Sequence, residues 1–127
     1  MRRVVVDADV LLSWFDPADG PGRAMRGEYE AGALAVVAPR TILADALALL
    51  AQRPGWTPER LERAAVELER LRLDLQDPAP TAVARYVGRG LPAHRAAYPA
   101  LAAGLDLRLH TLDAELARVA GALAATP

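Results

Sequence analysis

Val4, Val5 and Val6 run directly into Asp7 and Asp9, and the apolar pattern then resumes as Val10, Leu11 and Leu12. A short continuous apolar run rich in β-branched residues predicts a strand buried on both faces, here over residues 3–7. The stretch "ALAVVAP" (33–39) predicts a second such strand. "RLDLQ" (72–76) alternates apolar and polar positions and predicts a short third strand, and "LRLHT" (107–111) a last one. Helical patterns lie between them. A polar helix is expected over 20–31, after a turn at "DPADGPG", and another over 39–52 with Pro39 in its first turn. Thr57 is a natural N-cap with Pro58 at the first helical position, and Leu61, Ala64, Ala65, Leu68 and Leu71 then form one apolar face. Asp77-Pro78 is expected to cap a helix carrying Val83, Tyr86 and Val87. "LPAHRAAYPALAAG" (91–104) predicts a helix ending at Gly104, with Leu116, Val119, Ala120 and Leu123 marking a final one. Strands alternating with helices predict an α/β domain, with a mostly parallel central sheet flanked by helices. No internal repeat or linker divides the chain, so residues 1–127 are read as one domain.

Composition narrows the function classes. Apolar residues make up 53% of the 127, enough for a real core and too many for a disordered chain. No apolar run approaches the ~20 residues that cross a bilayer, and no signal-peptide pattern follows the two leading arginines. A soluble, cytoplasmic domain without a membrane partner is expected. Cysteine is absent, which excludes disulfides and thiolate metal sites. The net charge of −1 argues against a globally basic nucleic-acid binder. All 15 basic residues are arginine, so every mechanism that needs a lysine is excluded.

The candidate chemistry is acidic. In open α/β sheets, ligands bind outside the carboxyl ends of the strands. Asp7 and Asp9 sit at one such end, Thr111 and Asp113 at another. If strand geometry persists, Asp7 and Asp9 project to the same side. The bland role for one of them is to cap the following helix, Asp9 more readily than Asp7. Adjacent carboxylates repel unless a cation or donors lie between them, which favours a metal or phosphoryl site. Asp45 lies within a helix at the edge of its apolar stripe, and no arginine stands three or four residues away to pair with it. Asp113 suits an N-cap for the last helix. His94 and His110 are the only histidines and are read as structural. Converging aspartates are hard oxygen ligands that suit Mg²⁺ or Mn²⁺, and the chemistry they imply is phosphoester hydrolysis.

On these residues the sequence resembles a PIN domain, the fold of VapC-type toxin ribonucleases, over nearly the whole chain. "VVVDADVLLSWF" looks like the family's first strand and helix, with Asp7 in the first acidic position. "VVAPRTILADALALL" looks like its second strand and helix, with Asp45 where the family usually has glutamate. "GLPAHRAAYPALAAGLDLRLHTLDAELARVA" is similar to the closing helix–strand–helix, in which "TLD" supplies the fourth acid, Asp113. The resemblance implies a three-layer fold and a Mg²⁺- or Mn²⁺-dependent endoribonuclease. Asp7, Asp45 and Asp113 would be catalytic, and Asp7, Asp113 and Asp9 would be the metal ligands. It also implies an RNA substrate, a small antitoxin protein and a homodimer. One position departs sharply. The family's third acid stands in Tyr-Asp-Ala-x-Tyr, and this chain has "HRAAY", with Arg95 in that place. A fixed cation works against a divalent ion beside it. Arg95 is expected either to pair with Asp7 or Asp113 and close the site, or to grip a substrate phosphate. Pro99, in the same turn, removes a helical hydrogen bond and is expected to bend the helix. Asp9, where the family usually has Ser, Thr or Asn, brings the acids back to four.

Two rivals follow from the same residues. "VVVDADVLL" also resembles the first motif of haloacid-dehalogenase-like phosphatases, with Asp7 as nucleophile and Asp9 as acid/base, but that family needs a lysine. The other is a PIN-like module with a broken acidic cluster that binds RNA or a protein without cutting.

Overall fold

The computed structural model describes residues 1–17 and 20–125. The expected turn over 16–22 includes Ala18 and Asp19, which lie outside the described residues, as does the end of the chain from residue 126. Five strands form one sheet: β1 (Arg2–Val6), β2 (Leu34–Ala38), β3 (Asp74–Leu75), β4 (Leu109–His110) and β5 (Ala124–Ala125). Their spatial order is β3-β2-β1-β4-β5, and every pairing is parallel. Helices α1 (Ala8–Ser13), α2 (Pro21–Glu30), α3 (Ile42–Ala51), α4 (Pro58–Arg70), α5 (Pro80–Gly88), α6 (Ala93–Leu105) and α7 (Ala114–Ala120) alternate with the strands and flank the sheet. This is the expected three-layer α/β architecture.

Burial explains why the sheet needs helices on both sides. Val4, Val5 and Val6 of β1 are consecutive and all buried, as are Val36, Val37 and Ala38 of β2. Successive strand residues point to opposite faces, so both faces of the sheet centre must be covered. The core continues into Val10, Leu11 and Trp14 from the α1 region, Ile42 and Ala46 of α3, and Ala96, Leu101 and Ala102 of α6.

Local signals in the sequence set several element boundaries. Thr57 caps α4, its Oγ1 accepting from the Arg60 N–H at 3.2 Å, and Pro58 opens the helix. Four expectations are corrected. Helix α3 begins at Ile42, with Pro39 ahead of it in a turn closed by the Ile42 N–H on the Pro39 carbonyl at 3.0 Å. Asp77 does not cap α5. That helix opens at Pro80, and Asp77 instead pairs with Arg40 across 3.4 Å of solvent-exposed surface. Helix α6 runs through Gly104 to Leu105 and is capped by Asp106, which takes the left-handed conformation with φ of 54°. Aspartate is one of the few non-glycine residues that adopt it readily. Beyond α7, a 3₁₀ turn (Gly121–Leu123) leads into β5, which had no counterpart among the expected strands.

Candidate functional site

The chain visits β1, β2 and β3 on one side of the sheet and then returns to place β4 on the other side of β1. The crevice at the carboxyl ends of β1 and β4 is therefore the topological switch point of the sheet, where such folds bind ligands. A cleft of about 350 Å³ opens there, and Asp7, Asp9, Asp45, Arg95 and Asp113 all line it. Thr111 stands behind it, bonded to Asp7. Residues up to 106 positions apart in sequence thus converge as the acidic pattern led one to expect.

Asp7 is the N-cap of α1 and is buried, 4% exposed. Its Oδ1 accepts the Val10 N–H at 2.9 Å, and its Oδ2 accepts the Thr111 hydroxyl at 2.5 Å. Thr111 Oγ1 in turn accepts the Asp113 N–H at 3.0 Å, so one threonine ties the ends of β1 and β4 together. Asp113 caps α7 as expected, its Oδ1 accepting the N–H groups of Glu115 and Leu116 at 2.9 and 3.1 Å. Between Asp7 and Asp9, the cap is Asp7. The strand stops at Val6, so Asp9 falls in the first turn of α1 and is exposed at the cleft. The two aspartates do not share a strand face.

Asp45 is half-buried on α3, and its missing local partner proves to be distant in sequence. Tyr98 of α6 donates its hydroxyl to Asp45 Oδ2 at 2.6 Å. Burial and this bond together push the Tyr98 phenol far above its ordinary range. Arg95 lies one turn earlier on α6, and its guanidinium is ion-paired with Asp113 Oδ2. Glu115 Oε2 lies 3.7 Å from the same guanidinium. Of the two partners expected for Arg95, the structure selects Asp113. Pairwise logic missed Glu115, although its place two residues after a capping aspartate puts it on the first turn of α7, beside the cap. The histidines divide. His110 is buried in β4, while His94 is exposed on the lining of the cleft, so it is not a core residue.

Burial raises the pKa of Asp7. The bonds from Thr111 and Val10 partly offset it, Asp9 adds to it, and the Arg95 charge lowers it slightly. In the interval from the ordinary value of 3.8 up to the raised folded value, the folded state binds more protons than the unfolded one. Stability therefore falls as pH rises through that interval and stays lower above it. Asn keeps the cap to Val10 and removes the buried charge. Asp7→Asn is expected to match wild type near pH 4 and to melt above it near pH 7, where wild type carries the buried charge. Thermal melts of both proteins at the two pH values check this. An equal difference at both would show that the charge of Asp7 is not what burial penalises.

The donor set can be tested against a divalent cation. Aspartate oxygens are the right chemistry, but a cation of the protein's own, Arg95, already stands against Asp113. Both oxygens of Asp7 accept protein hydrogen bonds, and Asp113 is divided between its helix cap and Arg95. Among the described residues, no group of three or more His, Asp or Glu side chains is placed to hold a metal ion.

The crystal structure of PAE2754 from Pyrobaculum aerophilum is similar to this chain, with a TM-score of 0.66 at 22% sequence identity over 93% of this chain and 84% of that one. At that identity the likeness shows a shared fold alone. No protein-family model and no curated protein matches the sequence. Among the described residues, no helix is long and apolar enough to cross a membrane.

Proposed function

We propose that this chain is a PIN-like domain whose acidic cleft binds a partner and does not hydrolyse phosphodiesters. The observation that carries this reading is the Arg95–Asp113 ion pair. In the resemblance, Arg95 stands in the place of an acid. A divalent ion entering the cleft would face that fixed cation and would have to displace it from a carboxylate. The lining, four aspartates against one arginine, also repels a phosphate backbone. A polypeptide partner, such as the small antitoxin implied by the resemblance, suits the cleft better than RNA.

The test is calorimetric titration of Mn²⁺ into the protein, alongside incubation of a mixed pool of single-stranded and hairpin RNA with Mg²⁺ or Mn²⁺. Neither binding heat nor cleavage is expected. Saturable Mn²⁺ binding that Asp7→Asn abolishes would overturn the reading.

One observation favours a second reading, a Mg²⁺- or Mn²⁺-dependent endoribonuclease rewired around Asp9. Asp9 is exposed on the cleft lining, and the excess of carboxylates over Arg95 attracts cations. That reading predicts the opposite outcome in the same titration, with RNA cleavage that depends on Asp9.

A further inference from the structure

The cleft gathers Asp7, Asp9, Asp45 and Asp113 around a single guanidinium. Carboxylates lining one cleft repel one another unless something positive stands among them. The protein supplies that charge itself. Arg95 projects from α6, is ion-paired with Asp113 Oδ2, and lies 3.7 Å from Glu115 Oε2. The Arg95 and Asp113 side chains are only 26% and 27% exposed, so solvent screens their attraction incompletely. Arg95 also acts favourably on the ionised form of Asp7, across the cleft.

We infer that Arg95 is the resident cation of this cleft, an internal latch that neutralises the acidic cluster and holds it closed to divalent ions. The inference rests on the reading of the cleft given above and names how that site is regulated. Asp113 is the main catch of the latch. Glu115, half-exposed and longer in reach, is a secondary one. A latch of this kind has a specific consequence. When the internal cation is removed, an external one becomes useful to the fold.

The experiment compares wild type, Arg95→Gln and Arg95→Lys, each measured with chelator and then with millimolar Mn²⁺, by thermal melt and by calorimetry. Arg95→Gln keeps much of the side-chain length and loses the charge. It is expected to melt below wild type in chelator and to recover with Mn²⁺, binding the ion at least tenfold more tightly than wild type does. Unit charges a few ångströms apart near a protein surface interact strongly enough to give a factor on the order of tenfold to a hundredfold. Arg95→Lys keeps the charge and is expected to stay indifferent to Mn²⁺. If Arg95→Gln fails to fold in chelator, its refolding yield with and without Mn²⁺ gives the same answer.

Equal Mn²⁺ affinity in wild type and Arg95→Gln overturns the latch, and so does an absence of binding in both. The two readings fail separately. RNA cleavage by wild type, with Mn²⁺ binding confined to Arg95→Gln, would sink the non-hydrolytic reading and leave the latch standing. Binding by neither would sink the latch and leave the non-hydrolytic reading standing.

Discussion

Asp113→Ala is expected to lower stability by about 2–3 kcal/mol, and Asp113→Asn by only about 1 kcal/mol. The two oxygens of this carboxylate do different work. Oδ1 satisfies the N–H groups of Glu115 and Leu116 at the start of α7, and removing such a cap costs about 1 kcal/mol. Oδ2 faces Arg95. A fully buried ion pair that loses one partner costs about 3–5 kcal/mol, but this pair is a quarter exposed, which reduces the loss to roughly 1–2 kcal/mol. Alanine removes both contributions. Asparagine keeps an oxygen for the cap and a weaker, uncharged acceptor for Arg95. Urea denaturation of the three proteins at pH 7 separates the two roles. Equal losses in both variants would mean that the ion pair alone matters and the cap does nothing. No loss in either would remove Arg95–Asp113 from any account of this cleft.

The acids were legible in the sequence because each sits where a strong local pattern ends. Asp7 follows a run of valines, Asp113 follows "LRLHT", and Asp45 breaks the edge of an apolar helical stripe. Their convergence follows from the parallel topology, which brings the ends of β1 and β4 side by side. The cap made by Asp113 and its candidacy as partner of Arg95 were legible too, but what Asp7 and Asp45 bond to was not. The partner of Asp45 is Tyr98, 53 positions away on α6, and no spacing rule reaches that far. The choice of Asp7 over Asp9 as cap turned on where β1 stops, and a difference of one residue at a strand end decides it. Strand β5 is two alanines, too short and too uniform to show any alternation. Asp77 looked like a cap because Asp-Pro often opens a helix, but the N-cap position falls on Ala79, and Pro80 takes the first helical position instead.

The second large effect is expected at Gly22, which does not line the acidic cleft. Helix α2 crosses the end of α1 so closely that a Cβ on Gly22 would lie 2.3 Å from Ser13 Oγ, 2.6 Å from the Ser13 carbonyl oxygen and 2.7 Å from its carbonyl carbon. Two of these three atoms are backbone and cannot rotate away. Gly22 has helical neighbours, and its position reflects this approach rather than an unusual φ. Alanine would gain a little helix propensity, up to about 1 kcal/mol. Overpacking costs about 1–3 kcal/mol in a core that can adjust, and a clash with main chain sits at or above the top of that range. Gly22→Ala is therefore expected to destabilise by about 2–3 kcal/mol net, and Gly22→Val by more. The double variant Gly22→Ala, Ser13→Ala sharpens the test. It removes the Oγ contact but leaves the two backbone contacts, and it also removes the bond from Ser13 Oγ to the Val10 carbonyl at 2.6 Å. It should recover little. Full recovery in a urea melt would mean that α1 and α2 can part easily. Because α1 carries Asp7 at its N-cap and Asp9 in its first turn, such easy parting would also mean that the floor of the acidic cleft is less fixed than its hydrogen bonds imply.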